Sequence, residues 1–107
     1  MAQLMLNHDI VDSPFLRQHI EENVEEIETL VPEGTPVKVQ LKRISKRLFG
    51  ADLRLLLFGR WIIVRTHDTD LFHAVNRARR HLLRQVDDAK GFQRDRHRQP
   101  KRHLKAL

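Results

Sequence analysis

The side chains in this sequence with the clearest capacity for chemistry form a row of bases. Steps of four and three residues connect His73, Arg77, Arg80 and Arg84. Because residues at such steps share one face of an α-helix, a helix here would carry them as a stripe. Guanidinium groups held at fixed spacing bind phosphate oxygens through paired hydrogen bonds. The spacing therefore predicts a surface that binds a polyanion.

A solvated helix face is the alternative interpretation of this row. Arginines at helical neighbour positions repel one another, and each like-charged pair costs roughly 0.2–0.5 kcal/mol of helix stability. Few acids stand near enough in the sequence to offset that repulsion. The repulsion favours a bound anion as the reason for the arginines, and we predict that Arg77, Arg80 and Arg84 contact RNA.

The basic character continues toward the C-terminus. Residues 92–107 hold six bases and one acid with little periodicity, which predicts a flexible basic tail after a domain formed by residues 1–91. A solubilising tail is the alternative to an arm that follows phosphates. The predicted RNA-binding bases of this region are Lys90, Arg94, Arg96 and Arg98.

The charge of the chain is divided along its length. Residues 1–35 carry one base and eight acids, whereas residues 36–107 carry 19 bases and six acids, for a net charge of +6. Such a basic region indicates an acidic partner, most often nucleic acid or an anionic membrane surface. The 107 residues include no cysteine, no signal-peptide pattern and no apolar run of membrane-spanning length. We therefore expect one cytoplasmic domain without membrane association.

Catalysis and metal binding are the functions that the sequence supports least. The densest cluster of titratable groups runs from His67 to His73 and includes Asp68 and Asp70. An aspartate that caps the following helix explains this cluster. No serine has a base and an orienting acid at a suitable spacing, and no glycine-rich phosphate loop is present. We expect no enzyme activity, metal or cofactor.

The elements that must position these residues follow from apolar spacing. Alternation predicts strands, and apolar steps of three and four residues predict helices. The predicted helices are 14–31, which starts at a Ser-Pro cap and stops before a proline, and 71–90, which Gly91 would end. The predicted strands are 3–7, 37–42, 52–58 and 61–67.

The order β-α-β-β-β-α predicts an α+β fold. A right-handed crossover would make the first two strands parallel, and the remaining strands would form an antiparallel meander. Both helices would pack on one face of a four-stranded mixed sheet, giving a two-layer sandwich.

The last two strands are predicted to form a hairpin. Glycine at the first central position favours a type II′ turn at Gly59-Arg60, which places Phe58 opposite Trp61. The same register pairs Leu56 with Ile63, Arg54 with Arg65, and Asp52 with His67.

The outer face of the predicted sheet combines bases with apolar side chains. Lys42, Arg54 and Arg65 are candidate RNA contacts on this face. Aromatic side chains between bases can stack on unpaired nucleotides, but a compact apolar patch more often marks a protein interface. We favour a protein interface, with a homodimer as one candidate. Its predicted residues are Leu56, Phe58, Trp61 and Ile63.

Several short strings, in order and at consistent separations, connect this chain to a known family. They are Ala51-Asp52-Leu53, the hairpin glycine, Asp70-Leu71-Phe72, Ala74-Val75-Asn76, and Leu82 followed by Arg84-Gln85-Val86. Over residues 3–90 the chain resembles the short ribosome hibernation promoting factors, a family of ribosome-associated translation inhibitors also called sigma-factor modulation proteins.

The resemblance implies a fold like that of double-stranded-RNA-binding domains. It also implies binding to small-subunit rRNA in the channel for tRNA and mRNA, which would keep idle ribosomes inactive during stress. The alternative is a protein-interaction or regulatory module that acts through the aromatic sheet face without binding ribosomes.

The first helix departs from the family pattern. Where members of the family usually carry bases, this chain has Asn23, Glu25, Glu26 and Thr29. We expect this acidic helix either to lie beside the basic helix and offset its field, or to meet a basic ribosomal protein. Contacts with rRNA are therefore predicted for the second helix and the tail.

Overall fold

A computed structural model describes the backbone of residues 2–106 and the side chains of residues 2–91. The elements follow the predicted order β-α-β-β-β-α, so the predicted α+β fold is confirmed. Their bounds are Ala2–Leu6 (β1), Pro14–Glu28 (α1), Val37–Ser45 (β2), Leu48–Leu57 (β3), Arg60–Asp68 (β4) and Leu71–Ala106 (α2).

The four strands form one mixed sheet in the order β1-β2-β3-β4. β1 runs parallel to β2, and the other neighbours are antiparallel, as predicted. One row of partners crosses the sheet from Leu4 to Val39, Leu53 and Val64. Because alternate residues of a strand share a face, this row marks the side of the sheet that is buried.

The core lies between that face and both helices. Each helix buries one apolar face in this core, with Ile27 of α1 and Leu82 of α2 both at 0% exposure. Removing a fully buried leucine from water contributes roughly 1.5–3 kcal/mol, so a handful of such residues holds the layers together. The Thr66 hydroxyl donates to the Ala74 carbonyl at 2.7 Å and satisfies a polar group where α2 crosses β4.

The turn between β3 and β4 differs from the prediction. Phe58 and Gly59 occupy its centre with φ angles of 52° and 75°, and Leu57 pairs with Arg60. Two successive positive φ angles define a type I′ turn, in which glycine takes the second central position. The predicted type II′ turn at Gly59-Arg60 is therefore wrong.

The predicted hairpin pairs are wrong for the same reason. The register is displaced by two residues, so that Leu56 lies opposite Trp61 and Arg54 opposite Ile63. A shift of two residues keeps every side chain on its predicted face, whereas a shift of one would have reversed them all. The assignment of core and outer faces therefore survived the error, and Asp52 lies opposite Arg65.

The chain between β2 and β3 is shorter than predicted. The predicted strands end at residue 42 and begin again at residue 52, but in the structure both continue until only Lys46-Arg47 remains as the turn. A bulge between Arg43 and Ser45 breaks the alternation at Ile44, which is why the sequence pattern ended early.

The helix starts match their predicted caps. The Ser13 hydroxyl accepts a hydrogen bond from the Leu16 amide at 3.1 Å, and Pro14 takes the first turn of α1. The Asp70 carboxylate accepts from the Phe72 amide at 2.8 Å at the start of α2. Each cap satisfies a backbone donor that has no partner within its helix.

The helix ends lie elsewhere than predicted. α1 stops at Glu28 rather than at residue 31, and α2 passes through Gly91 and continues to Ala106, so Gly91 is not a cap. The side chains of residues 92–107 lie outside the described residues, and the flexible tail and the boundary at residue 91 stay predictions. Within the described part of the chain, no helix is both long and apolar enough to cross a membrane.

Candidate nucleic-acid interface

The outward face of α2 carries the predicted row of bases. His73, Arg77, Arg80 and Arg84, here called the basic stripe, are all exposed, while Val75, Ala78 and Leu82 on the opposite face are buried. Helical spacing therefore does position the stripe as expected. Within the described residues, neither Arg80 nor Arg84 has an ion-pair or hydrogen-bond partner, so both guanidinium groups are available to an external anion.

Arg77 is the anchored member of the stripe. Its Nη1 donates to the His67 carbonyl at 3.0 Å and lies 3.5 Å from Oδ2 of Asp68. These contacts tie α2 to the end of β4 and fix the direction of the side chain. Its side chain is still 45% exposed, so Arg77 keeps donors for a ligand.

Asp68 is the acid that pairs with a guanidinium group of the stripe, and its environment favours the charged form. The Asp70 amide donates to its Oδ1 at 3.0 Å, and this hydrogen bond is the main reason that the pKa of Asp68 lies below its ordinary value. Partial burial opposes the shift, and the charges of His73 and Arg77 add to it. Asp68 thus remains an anion that orients Arg77.

An open depression of about 510 Å³ lies at the start of the stripe. Three arginines and a histidine surround one aspartate, so the local charge is positive and the hollow suits an oxyanion such as a phosphate group. Asn76 was not among the predicted contacts, although it stands one helical turn before Arg80 and was detectable from the same spacing. The lining residues are Asp68, His73, Asn76, Arg77, Arg79 and Arg80.

The flank of α2 that faces α1 uses its bases differently. Nη1 of Arg79 lies 2.7 Å from Oε2 of Glu26, and the Lys90 ammonium donates to the Leu30 carbonyl. The structure therefore places Lys90, a predicted RNA contact, away from the stripe and against the end of α1. The pair between Arg79 and Glu26 fits the expectation that the acidic helix offsets the field of the basic one.

Three of the predicted protein-interface residues lie on the outer face of the sheet, and Phe58 lies in the adjoining turn between β3 and β4. Phe58, Trp61 and Ile63 are 48%, 45% and 44% exposed, and the half-buried Leu56 lies opposite Trp61. The Lys38 ammonium stands 5.1 Å from the centre of the Trp61 ring, a cation–π contact. Aliphatic and aromatic surface thus forms one patch, called the outer patch below.

The remaining predicted RNA contacts lie on this outer face, on the opposite side of the sheet from α2. Lys42 and Arg54 are half-buried there, and Arg65 has its Nε 3.5 Å from Oδ2 of Asp52. Because the Asp52 side chain is only 8% exposed, Arg65 neutralises a buried carboxylate. The sequence analysis missed this pair, since its register had placed Asp52 opposite His67.

The side chains of Arg94, Arg96 and Arg98 lie outside the described residues, so their predicted role stays a prediction. Among the described residues, no group of three or more histidine or acidic side chains is arranged to hold a metal ion.

Comparison with known proteins finds similarity at the level of three-dimensional structure. No family model and no curated protein matches the sequence. The N-terminal domain of Thermus thermophilus Protein Y superposes with a TM-score of 0.70 at 22% identity, covering 80% of this chain and 96% of that one. A ribosomal subunit interface protein from Coxiella burnetii also gives 0.70, at 18% identity, covering 84% and 97%. This chain has their fold. The fold expected from the resemblance to hibernation factors is thereby confirmed.

Proposed function

We propose that this protein is a ribosome-associated factor that keeps idle ribosomes inactive by binding small-subunit rRNA in the channel for tRNA and mRNA. The observation that carries the proposal is the basic stripe, in which Arg80 and Arg84 are exposed and unpaired within the described residues. A polyanion is the ligand that such an array recognises.

The fold supports a ribosomal partner. One of the structures that share it is described as a ribosomal subunit interface protein. Two of the strings that resemble the hibernation family lie in α2, the helix with the basic stripe. They are Ala74-Val75-Asn76 and Arg84-Gln85-Val86. The helix that carries much of the resemblance is thus the helix that carries the stripe.

The proposed mechanism is occupancy without a chemical step. α2 is packed on the sheet through its apolar face, so the guanidinium groups of the stripe are presented by a rigid element. Each phosphate they neutralise releases counterions, which makes binding favourable at low salt. A protein held in the substrate channel in this way excludes tRNA and mRNA by volume.

The acidic helix gives the bound protein an orientation. Exposed Glu21, Glu22 and Glu25 on α1 would repel phosphates, so α1 is expected to face away from the rRNA. Contact is therefore limited to the outward face of α2 and, as a prediction, to the tail. This arrangement uses fewer bases than a helix pair in which both members are basic.

The test is cosedimentation of purified protein with ribosomes through a gradient at low and near-physiological salt. Arg80→Glu combined with Arg84→Glu should abolish association. Arg17→Glu combined with Lys38→Glu is the matched control, because it changes the net charge equally on other surfaces. Association that the stripe variant retains in full, with the variant folded by circular dichroism, would overturn the proposal.

A second candidate function is a protein-interaction or regulatory module that acts through the outer patch without ribosomes. The exposure of Trp61 and Ile63 on one sheet face, with Phe58 exposed in the adjoining turn, favours it, because monomeric proteins seldom leave such a patch uncovered. If the patch forms a homodimer, the mass in sedimentation equilibrium should rise with protein concentration. The Trp61→Ser variant should then keep the monomer mass at all concentrations. Absence of ribosome binding at both salts would favour this candidate.

A further inference from the structure

The two edges of the sheet differ in how they are protected. The edge strand β4 carries several charged side chains, and Arg77 donates a hydrogen bond to the His67 carbonyl at the end of this strand. β1 has the sequence Ala-Gln-Leu-Met-Leu, with no charge and no proline, and it pairs only with β2 among the described strands. An edge strand without charge, proline or cover is a template for another strand.

A groove runs between this open edge and α1, and we call it the edge groove. It has a volume of about 310 Å³ and is formed by β1 together with the flank of α1 that faces away from α2. Leu4, Ile20 and Val24 give it an apolar floor. The groove is therefore open along β1, the edge strand of the sheet, and is covered on one side by α1.

The rim of the edge groove is acidic. Glu21, Glu25 and Glu28 line it at successive helical turns. Arg17 also lies at the groove, but Asp12 holds its guanidinium through hydrogen bonds of 2.7 and 2.8 Å. Asp12 takes most of the arginine charge and Glu21 feels part of it, so the groove keeps a net negative charge.

We infer that the edge groove binds an extended, basic segment of another protein, which adds to the sheet as a strand beside β1. Backbone hydrogen bonds to the open edge would supply affinity, and alternate side chains would supply specificity. The inference stands apart from the proposed role of the stripe, since it concerns the opposite flank of the helical layer.

The spacing of the rim fits that occupant. Same-face side chains of a strand repeat at about 6.6–6.8 Å, and the step of four residues from Glu21 to Glu25 rises about 6.0 Å along the helix, so two bases of the strand can match these two carboxylates. Lysines or arginines at alternate positions would each meet one carboxylate. Their aliphatic stems would lie on Leu4, Ile20 and Val24, which explains a floor that is apolar beneath an acidic rim.

The test is a nuclear magnetic resonance titration of the full chain with a capped peptide of about seven residues that alternates lysine with threonine and valine. We expect shifts at the amides of Ala2–Leu6 and along α1, and slower exchange of the β1 amides. Glu21→Gln combined with Glu25→Gln should weaken binding about fivefold or more. Glu22→Gln combined with Glu33→Gln, which removes equal charge outside the groove, should leave affinity unchanged.

Two peptide controls separate strand addition from simple charge attraction. Methylating alternate backbone nitrogens should abolish binding in one register and be tolerated in the other, because only one edge of an added strand faces β1. A peptide of the same composition with its lysines in one block should bind more weakly.

Three results would overturn the inference. Equal affinity for the block peptide would indicate non-specific charge attraction. Shifts of the same groove amides by oligouridine would indicate a nucleic-acid site. Protection of the β1 amides before any peptide is added, together with a dimeric mass, would assign the edge to a second copy of this chain.

Discussion

The guanidinium of Arg79 lies 2.7 Å from the carboxylate of Glu26 and links the basic helix to the acidic one. The Arg79 side chain is 23% exposed, and its Nε is buried without a partner among the described residues. This pair accounts for one of the acids of α1, because an arginine turned toward α1 needs a counter-charge there.

Glu26→Gln should therefore destabilise the fold by about 1 kcal/mol, a value set by the partial exposure of the glutamate. Glu26→Gln combined with Arg79→Met should recover most of that loss, since it removes the unpaired charge as well. Urea denaturation measures both, with Glu22→Gln as the control. Equal midpoints for the Glu26 and Glu22 variants would show that the pair does not stabilise the fold.

Asp68 leads to a prediction about pH. Its pKa in the folded protein lies below the ordinary 3.8, chiefly because the Asp70 amide donates to it. The unfolded chain therefore binds the proton more tightly, and the carboxylate stabilises the fold above pH 3.8. That contribution disappears as the pH falls below 3.8 and through the lower folded pKa.

The stability of the wild type relative to Asp68→Asn should thus be constant near neutral pH and shrink as the pH falls below 3.8. Titration of the Asp68 carboxyl carbon by nuclear magnetic resonance should give a midpoint below that value. Arg77→Gln should raise the midpoint only in part, because the backbone hydrogen bond remains. A midpoint at or above 3.8 would contradict the structure.

Phe58 occupies a backbone conformation that its side chain disfavours. Its φ angle of 52° is left-handed, where residues other than glycine lose roughly 1–2 kcal/mol and asparagine loses less. Phe58→Asn should create the Asn-Gly pair that type I′ turns prefer and be more stable than Phe58→Ala by about 0.5–1 kcal/mol. Thermal unfolding of the two variants compares them, and equal stability would argue against the turn.

The strand before Phe58 was predicted with the correct buried face but with the wrong hairpin register. The alternation of Leu53, Leu55 and Leu57 identified the core face, because burial depends only on which side of the strand a residue takes. The register depends on a turn conformation, and Phe-Gly carries no strong signal for type I′, so the pairing was displaced by two residues. Local patterns fixed the faces but left the neighbours across the sheet undetermined.

In the candidate site, too, the arrangement within one helix was predictable, whereas contacts between elements were not. The basic stripe was predictable because its residues share one helix, and helical spacing alone places them together. The contact of Arg79 with Glu26 was not predictable, since it joins helices far apart in the chain. The contact of Arg65 with Asp52 was missed because it depends on the register of the hairpin. Lys90 illustrates the consequence, because its position relative to α1 decides that it binds the Leu30 carbonyl.

The salt dependence of ribosome binding should distinguish the members of the stripe. A base that neutralises a phosphate contributes about 0.7–0.9 to the slope of log K against log salt, so its loss reduces the slope by that amount. Arg80→Gln and Arg84→Gln should each do so, because both are exposed and unpaired among the described residues.

Arg77→Gln should reduce the slope less and also loosen the start of α2, since His67 and Asp68 already engage that side chain. Arg17→Gln serves as the control, because Asp12 holds its guanidinium far from the stripe. Binding measured across a series of salt concentrations gives the slopes. An undiminished slope in both Arg80→Gln and Arg84→Gln would mean that phosphates are bound elsewhere, and the unassigned bases of residues 92–107 would then be the next to neutralise.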